Sequence, residues 1–174
     1  KQIELEKRTA TPEEQIILAR YVGWGGLANA FSSTASGWEN EYQELKALLT
    51  DVEYKAAMNS TITAYYTEPD LIRHIYRALE RFGFEGGPDR KILDPGMGTG
   101  NFYSVLPEQF QGSKLFGVEL DSITGRIAKQ LYPDADISIM GYEATKFEDN
   151  SFDVILGNIP FNSVKIYDRR YNDL

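Results

Sequence analysis

Four short segments of the chain hold residue types that could do chemistry together. The first is Asp94-Pro95-Gly96-Met97-Gly98-Thr99-Gly100-Asn101-Phe102. Its three alternating glycines let a backbone pass close to a ligand without Cβ clashes, and a helix following it would offer unpaired N–H groups. The spacing is neither the G-x-G-x-x-G of dinucleotide binders nor a P-loop, because no Gly-Lys-Ser/Thr follows. Alone, such a segment reads either as a ligand cradle or as a plain tight turn. The second is Glu119-Leu120-Asp121. A carboxylate at a strand end can accept both hydroxyls of a ribose; ligand binding is favoured over a solvated strand end for Glu119, while Asp121 reads mainly as a helix cap. The third is Gly141-Tyr-Glu-Ala-Thr145, where Glu143 reads equally as a partner for an adenine ring or as a solvated loop residue. The fourth is Asn158-Ile159-Pro160-Phe161. A simple turn would account for Asn158 and Pro160, but not for an aromatic there beside the other three features.

The elements needed to position these segments are legible around them. Lys91–Asp94, Lys114–Glu119, Ala135–Met140 and Phe152–Gly157 read as strands. The expected helices between them run from about Phe102 to Leu106 and from Asp121 to about Tyr132. Alternating strands and helices imply βαβ crossovers and a parallel α/β sheet. All four segments then fall at carboxyl ends of strands, where open α/β sheets bind ligands. Upstream, Thr67 is placed to cap a helix with Leu71, Ile72, Ile75, Tyr76 and Leu79 on its apolar face. The first sixty or so residues read as helical, with capping boxes at Thr11/Glu14 and Thr50/Glu53. Apolar faces are expected on Ile16, Ile17, Leu18 and Tyr21, and on Tyr42, Leu45, Leu48 and Leu49. Two units follow: a helical extension over 1–60 and a core over 61–174.

Bulk properties narrow the function classes. The 174 residues include no cysteine and one histidine, His74. That excludes disulfides, thiolate zinc sites and thiol nucleophiles, and leaves little for histidine ligation or a Ser-His-Asp triad. No metal site is expected, and His74 is given no role. No long apolar run or cleavable signal is present, which points to a cytoplasmic protein without a membrane partner. The net charge of −8 is a poor footprint for holding nucleic-acid phosphates.

Asp94-Pro-x-x-Gly-x-Gly with Asn158-x-Pro-Phe161 about sixty residues later resembles the N6-adenine DNA methyltransferases that carry an N-P-P-F/Y signature. Tyr65-Tyr66-Thr67-Glu-Pro69 resembles the segment that those enzymes place before the glycine loop, over the methionine end of the cofactor. More narrowly, Tyr21-Val-Gly-Trp-Gly-Gly26, the run from Gly117 to Tyr132 and Gly157-Asn-Ile-Pro-Phe161 resemble large proteins of bacterial mobile elements and phages, in which a methyltransferase domain is fused to a helicase-like ATPase. The resemblance implies a Rossmann-like methyltransferase fold with strand order 3-2-1-4. It also implies S-adenosyl-L-methionine as cofactor, DNA with a flipped-out adenine as partner, and further domains on the same polypeptide. By the same resemblance Asn158, Ile159, Pro160 and Phe161 are catalytic. Tyr66, Thr67, Asp94, Pro95, Gly96, Gly98, Gly100, Asn101, Phe102, Glu119, Leu120 and Glu143 form the cofactor set.

The chain departs from that pattern in three respects. Ile159 stands where the family has its first proline. The chain stops at Leu174, before about three further strands of a full sheet, so it reads as a fragment of a longer protein. The acidic balance lacks a DNA-binding face; Arg169 and Arg170 could meet phosphate, though a solvated tail is the preferred reading. Gly23-Trp24-Gly25-Gly26 reads as a helix-ending turn anchored by Trp24, or alternatively as a lid or partner contact. Tyr65 and Tyr66 are core aromatics or pocket lining. Rival functions are methylation of a protein glutamine amide and a non-catalytic docking module; a nicotinamide dehydrogenase is more distant, because its glycine spacing is absent.

Overall fold

The computed structural model describes residues 1–62 and 66–159. Its centre is a four-stranded, fully parallel sheet made of β1 (Lys91–Asp94), β2 (Lys114–Glu119), β3 (Asp136–Ile139) and β4 (Val154–Ile155), in the order β3-β2-β1-β4. This is the expected order. Strand β1 is central, and Ile92 and Leu93 are fully buried, as a strand covered on both faces requires. Asp153 ties the start of β4 to β1, accepting from the Lys91 backbone N–H at 2.9 Å and from Arg90 at 2.8 Å.

The helices are α1 (Gln2–Leu5), α2 (Pro12–Leu18), α3 (Glu39–Leu48), α4 (Asp51–Ser60), α5 (Pro69–Arg81), α6 (Asn101–Ser104) and α7 (Ser122–Leu131). Both expected capping boxes are present: Thr11 with Glu14 opens α2, and Thr50 with Glu53 opens α4. Asp121 caps α7, accepting from the Ile123 N–H at 3.0 Å and from the Thr124 hydroxyl at 2.6 Å. Helix α5 buries Ile72 and Tyr76 against the sheet, and the Tyr76 hydroxyl donates to the Phe102 carbonyl at 2.8 Å.

Several local expectations are corrected. The N-cap of α5 is Glu68, not Thr67; Thr67 lies one residue too early for its hydroxyl to reach the first free N–H groups, and that hydroxyl is buried without a partner. Leu71, Ile16, Ile17 and Leu48 are exposed. In each case the helix meets its neighbours over a narrower stripe than the run of apolar residues suggests. Helix α6 is one turn long and shifted to Asn101–Ser104. Strand β4 is only two residues long.

A separate aromatic core holds the N-terminal helices together. Phe31, Tyr54, Ala30 and Ala57 are its buried members, with Trp24, Trp38, Tyr42, Leu45 and Leu49 packed around them. This core is fastened to α7 by charge. Arg126 bonds to Glu53 at 2.6 Å and to both carboxylate oxygens of Glu4, and Lys1 reaches Glu53 at 3.0 Å. Hydrogen bonds from the Thr50 backbone, and then from Lys1 and Arg126, hold the Glu53 carboxyl down at about 2.

Arg126→Ala leaves Glu53 with Lys1 as its remaining cation and frees Glu4, and is expected to cost about 1–3 kcal/mol, read by urea denaturation. Because the Glu53 carboxyl is depressed, its contribution is present above the ordinary carboxylate range and is lost as pH falls toward about 2. The acid limb of the stability profile should therefore flatten in Glu53→Gln.

Candidate active site

The carboxyl ends of the four strands lie on one edge of the sheet, and the site is built there from β1 outward. Asp94, the last residue of β1, is 1% exposed. One carboxylate oxygen accepts from the Gly96 N–H at 3.1 Å; the other is buried without a partner. Gly157, at the end of β4, makes room for this group, since a Cβ there would lie 2.5 Å from Asp94 Oδ1. Burial pushes the Asp94 carboxyl up to about 7, with the Glu119 charge adding to the effect and the Gly96 bond opposing it.

The chain then turns through residues 95–100. The Met97 N–H donates to the Val118 carbonyl of β2 at 3.0 Å, and the Gly100 N–H donates to Met97 at 2.8 Å. Met97 is buried over Gly117, where any Cβ would collide with its sulfur. Gly98 and Gly100 carry φ of +57° and +90°, the left-handed region that glycine enters without steric cost. Each is also covered by a ring. Tyr66 lies over Gly98, its Cε1 only 3.2 Å from where a Cβ would sit. Tyr132 lies across Gly100 and donates its hydroxyl to the Gly100 carbonyl at 2.9 Å.

Glu119 ends β2 and grips this turn from the side. Its Oε2 accepts from the Gly98 N–H at 2.9 Å and its Oε1 from the Asp121 N–H at 2.7 Å. A carboxylate has about four lone-pair sites, so capacity is left for a ligand hydroxyl. Burial raises the Glu119 carboxyl, and these backbone bonds offset part of the rise. Leu120 beside it is 73% exposed, an apolar surface next to an acceptor.

The remaining candidates fall as follows. Asn158 is half-buried at the end of β4, with its backbone oxygen 3.7 Å from the Cβ position of Gly96. The β4 loop and the glycine turn therefore meet. Ile159 is exposed. Pro160 and Phe161 lie outside the described residues, as do Tyr65, Arg169 and Arg170. Glu143 is exposed, in a short 3-10 turn after β3, with its carboxylate folded back against Gly141. Phe102 is buried as a member of the hydrophobic core cluster, and its carbonyl accepts from the Tyr76 hydroxyl. Asn101 is half-buried at the first position of α6, and Pro95 is half-buried between Asp94 and Gly96. The sequence reading missed Tyr132 and Gly157. Gly157 stood directly before Asn158, but only the packing shows that Asp94 is what requires it.

Among the described residues, no group of His, Cys, Asp or Glu could hold a metal ion, and no helix is long and apolar enough to cross a membrane.

Residues 93–169 match the methyltransferase domain family. Over 155 residues the chain is 27% identical to the defense against restriction protein B of Escherichia phage P1, covering 88% of this chain and 5% of that protein. Over 78 residues it is 32% identical to the modification methylase CviBIII of Paramecium bursaria Chlorella virus NC1A, covering 45% of this chain and 21% of that enzyme. The chain thus spans only a small part of either relative. A candidate RNA methyltransferase from Pyrococcus horikoshii shares the fold, with a TM-score of 0.51, 14% identity, and coverage of 92% of this chain and 64% of that one.

The solved neighbour shares the Rossmann-like α/β fold, and the match over residues 93–169 supports a methyltransferase domain, for which S-adenosyl-L-methionine is the indicated cofactor. The geometry fits that group. A glycine turn at the carboxyl ends of the strands, an anchored carboxylate beside an exposed leucine, and a buried carboxylate oxygen without a partner suit a cationic nucleoside derivative.

A carboxyl raised on folding keeps its proton longer in the native state. Asp94 is therefore expected to lower stability as pH climbs from about 4 to about 7, with no further change beyond. Asp94→Asn should reduce that slope in denaturant midpoints measured across this window, leaving the part due to Glu119. Gly100→Ala combines a left-handed φ with a clash against the Tyr132 ring. It is expected to cost at least about 2 kcal/mol in the same measurement.

Proposed function

We propose that this chain transfers the methyl group of S-adenosylmethionine to the exocyclic N6 amine of adenine in DNA, acting within a larger protein. The observation that carries the reading is the meeting of the Asn158 backbone with the glycine turn at Gly96. It sets the start of Asn158-Ile-Pro-Phe161 beside the proposed cofactor seat. The 32% identity to a viral modification methylase supports the DNA substrate, and the small share of both relatives that the chain covers supports a larger assembly.

The difficulty of the reaction lies in the amine. Its lone pair is delocalised into the purine ring, so it is a weak nucleophile. In this proposal the Asn158 side-chain oxygen and the Ile159 carbonyl accept hydrogen bonds from the two N–H groups. That favours a pyramidal nitrogen with its lone pair free to attack, and stabilises the positive charge that develops on it. Phe161 stacks on the flipped-out base, worth about 1–3 kcal/mol by analogy with other base-stacking sites. Pro160 stiffens the loop by fixing its own φ; Ile159 supplies its carbonyl without that restraint. The cofactor, when bound, supplies an electrophilic methyl on a sulfonium.

The seat for that cofactor is assigned to the turn at Asp94, Pro95, Gly96, Gly98, Gly100 and Asn101. Glu119 takes ribose hydroxyls and Leu120 covers the adenine edge. Tyr66 and Thr67 border the methionine end, and Glu143 stands at the β3 side. Phe102 closes the set at the start of α6. With a net charge of −8, the phosphate contacts are assigned to other domains of the same polypeptide, including a helicase-like ATPase.

The test is transfer of a labelled methyl group from S-adenosylmethionine to DNA, RNA and protein, using the chain in its full reading frame, with the product nucleoside identified by mass spectrometry. N6-methyladenine in DNA is the expected product; label confined to protein or RNA overturns the substrate. Asn158→Ala should lower the transfer rate about 10²–10³-fold, as loss of an aimed hydrogen-bond partner does elsewhere. Cofactor affinity, read by calorimetry, should stay nearly unchanged.

A further inference from the structure

The Tyr21–Gly26 segment is pinned at three places. The Tyr21 hydroxyl lies 3.3 Å from that of Thr124, which itself donates to Asp121 at the end of the β2 segment. The Trp24 ring packs edge-on between Tyr21 and Phe31, at centroid distances of 5.9 and 5.4 Å, and Phe31 continues the row to Tyr54. The Gly26 N–H donates to the Thr61 carbonyl at 3.2 Å. Trp24 thus packs within the aromatic cluster of the extension itself, and α2 ends at Leu18, before the glycines that were expected to stop it.

Gly23 sits between these anchors, buried, with φ of +72°. A Cβ built on it would lie 2.6 Å from the Tyr66 hydroxyl and 2.9 Å from Tyr66 Cε2. All three nearest atoms belong to the tip of Tyr66. The opposite edge of the same ring faces Gly98, 3.2 Å from its Cβ position. One tyrosine is thus held between two glycines, one from the N-terminal extension and one from the turn.

We propose that Gly23 is a positioning residue for the cofactor site: by lacking a side chain it sets the depth at which Tyr66 lies over the Gly98 turn, which makes the N-terminal extension part of the binding unit. The inference rests on the methyltransferase reading above. A methyl group at position 23 cannot displace its own anchored segment. It pushes the Tyr66 ring toward Gly98 and into the space where the ligand is seated.

Gly26 supplies the control. Its φ is +76°, and a Cβ there would meet nothing within 4 Å. Gly23→Ala and Gly26→Ala therefore share the backbone cost but not the ring contact. Thermal denaturation should register a loss for both, the larger for Gly23→Ala, which adds the ring contact to the backbone cost. Calorimetric titration with S-adenosylmethionine should show about ten-fold weaker binding for Gly23→Ala and wild-type affinity for Gly26→Ala. Tyr66→Leu removes the atoms that the methyl would strike, so adding Gly23→Ala to it should leave affinity where Tyr66→Leu alone puts it. That pair decides the matter even if the single Gly23 variant does not fold. Equal affinity for Gly23→Ala and Gly26→Ala, or a further loss in the Tyr66→Leu background, overturns the assignment of Gly23 alone. A wild-type chain that takes up no S-adenosylmethionine removes the functional reading itself.

Discussion

Between Asp94 and Asn101 the chain must leave a buried central strand and enter a one-turn helix while side chains press on it from three directions. Met97 is driven down over Gly117, Tyr132 covers Gly100 and Tyr66 covers Gly98. Glu119 holds the Gly98 N–H from the side. Such a path is open only to a backbone without Cβ atoms at these positions, because a packed interior has no slack to absorb a methyl group. The rest of the site follows from this turn. Residue 157 must be small because the Asp94 carboxylate occupies the space beside it, and β4 consequently ends in contact with the turn rather than beyond it.

Enclosing the turn places two carboxylates, Asp94 and Glu119, in a region poor in solvent. Both are raised by burial, and the Glu119 charge adds to the rise at Asp94. A neutral ligand would leave that repulsion in place, whereas a cationic one would relieve it, since an opposite charge nearby favours the ionised form. The chemistry of the acidic edge is thus consistent with a sulfonium-bearing cofactor. It also shows why the overall acidity of the chain is not simply a handicap. Part of that acidity serves the site, and part of it, at Glu4 and Glu53, fastens the helical extension to α7 through Arg126.

That fastening gives the N-terminal helices a more direct relation to the site than their sequence position suggests. Their aromatic core is distinct from the core under the sheet, yet Tyr21 and Gly23 reach Thr124 and Tyr66. The extension therefore packs along α7 from Thr124 to Gln130 and reaches the edge that carries the candidate residues through Tyr21 and Gly23.

Much of this architecture could be read from residue order alone. Alternating apolar runs and glycine-rich turns specify parallel strands with helical crossovers. Both N-terminal capping boxes and the Asp121 cap are local hydrogen-bond patterns that depend on residues three or fewer apart, and all three formed. The strand order followed from the family resemblance and is present. What sequence could not decide was set by contacts across long separations. The cap of α5 is Glu68 rather than Thr67, one residue later than the hydroxyl that the sequence offered. The Phe102 carbonyl found its partner in Tyr76, 26 residues away. What Gly23, Tyr132 and Gly157 are needed for does not show in their immediate neighbours. Each is required by a side chain distant in sequence that occupies the same few ångströms, and only the folded chain brings those atoms together.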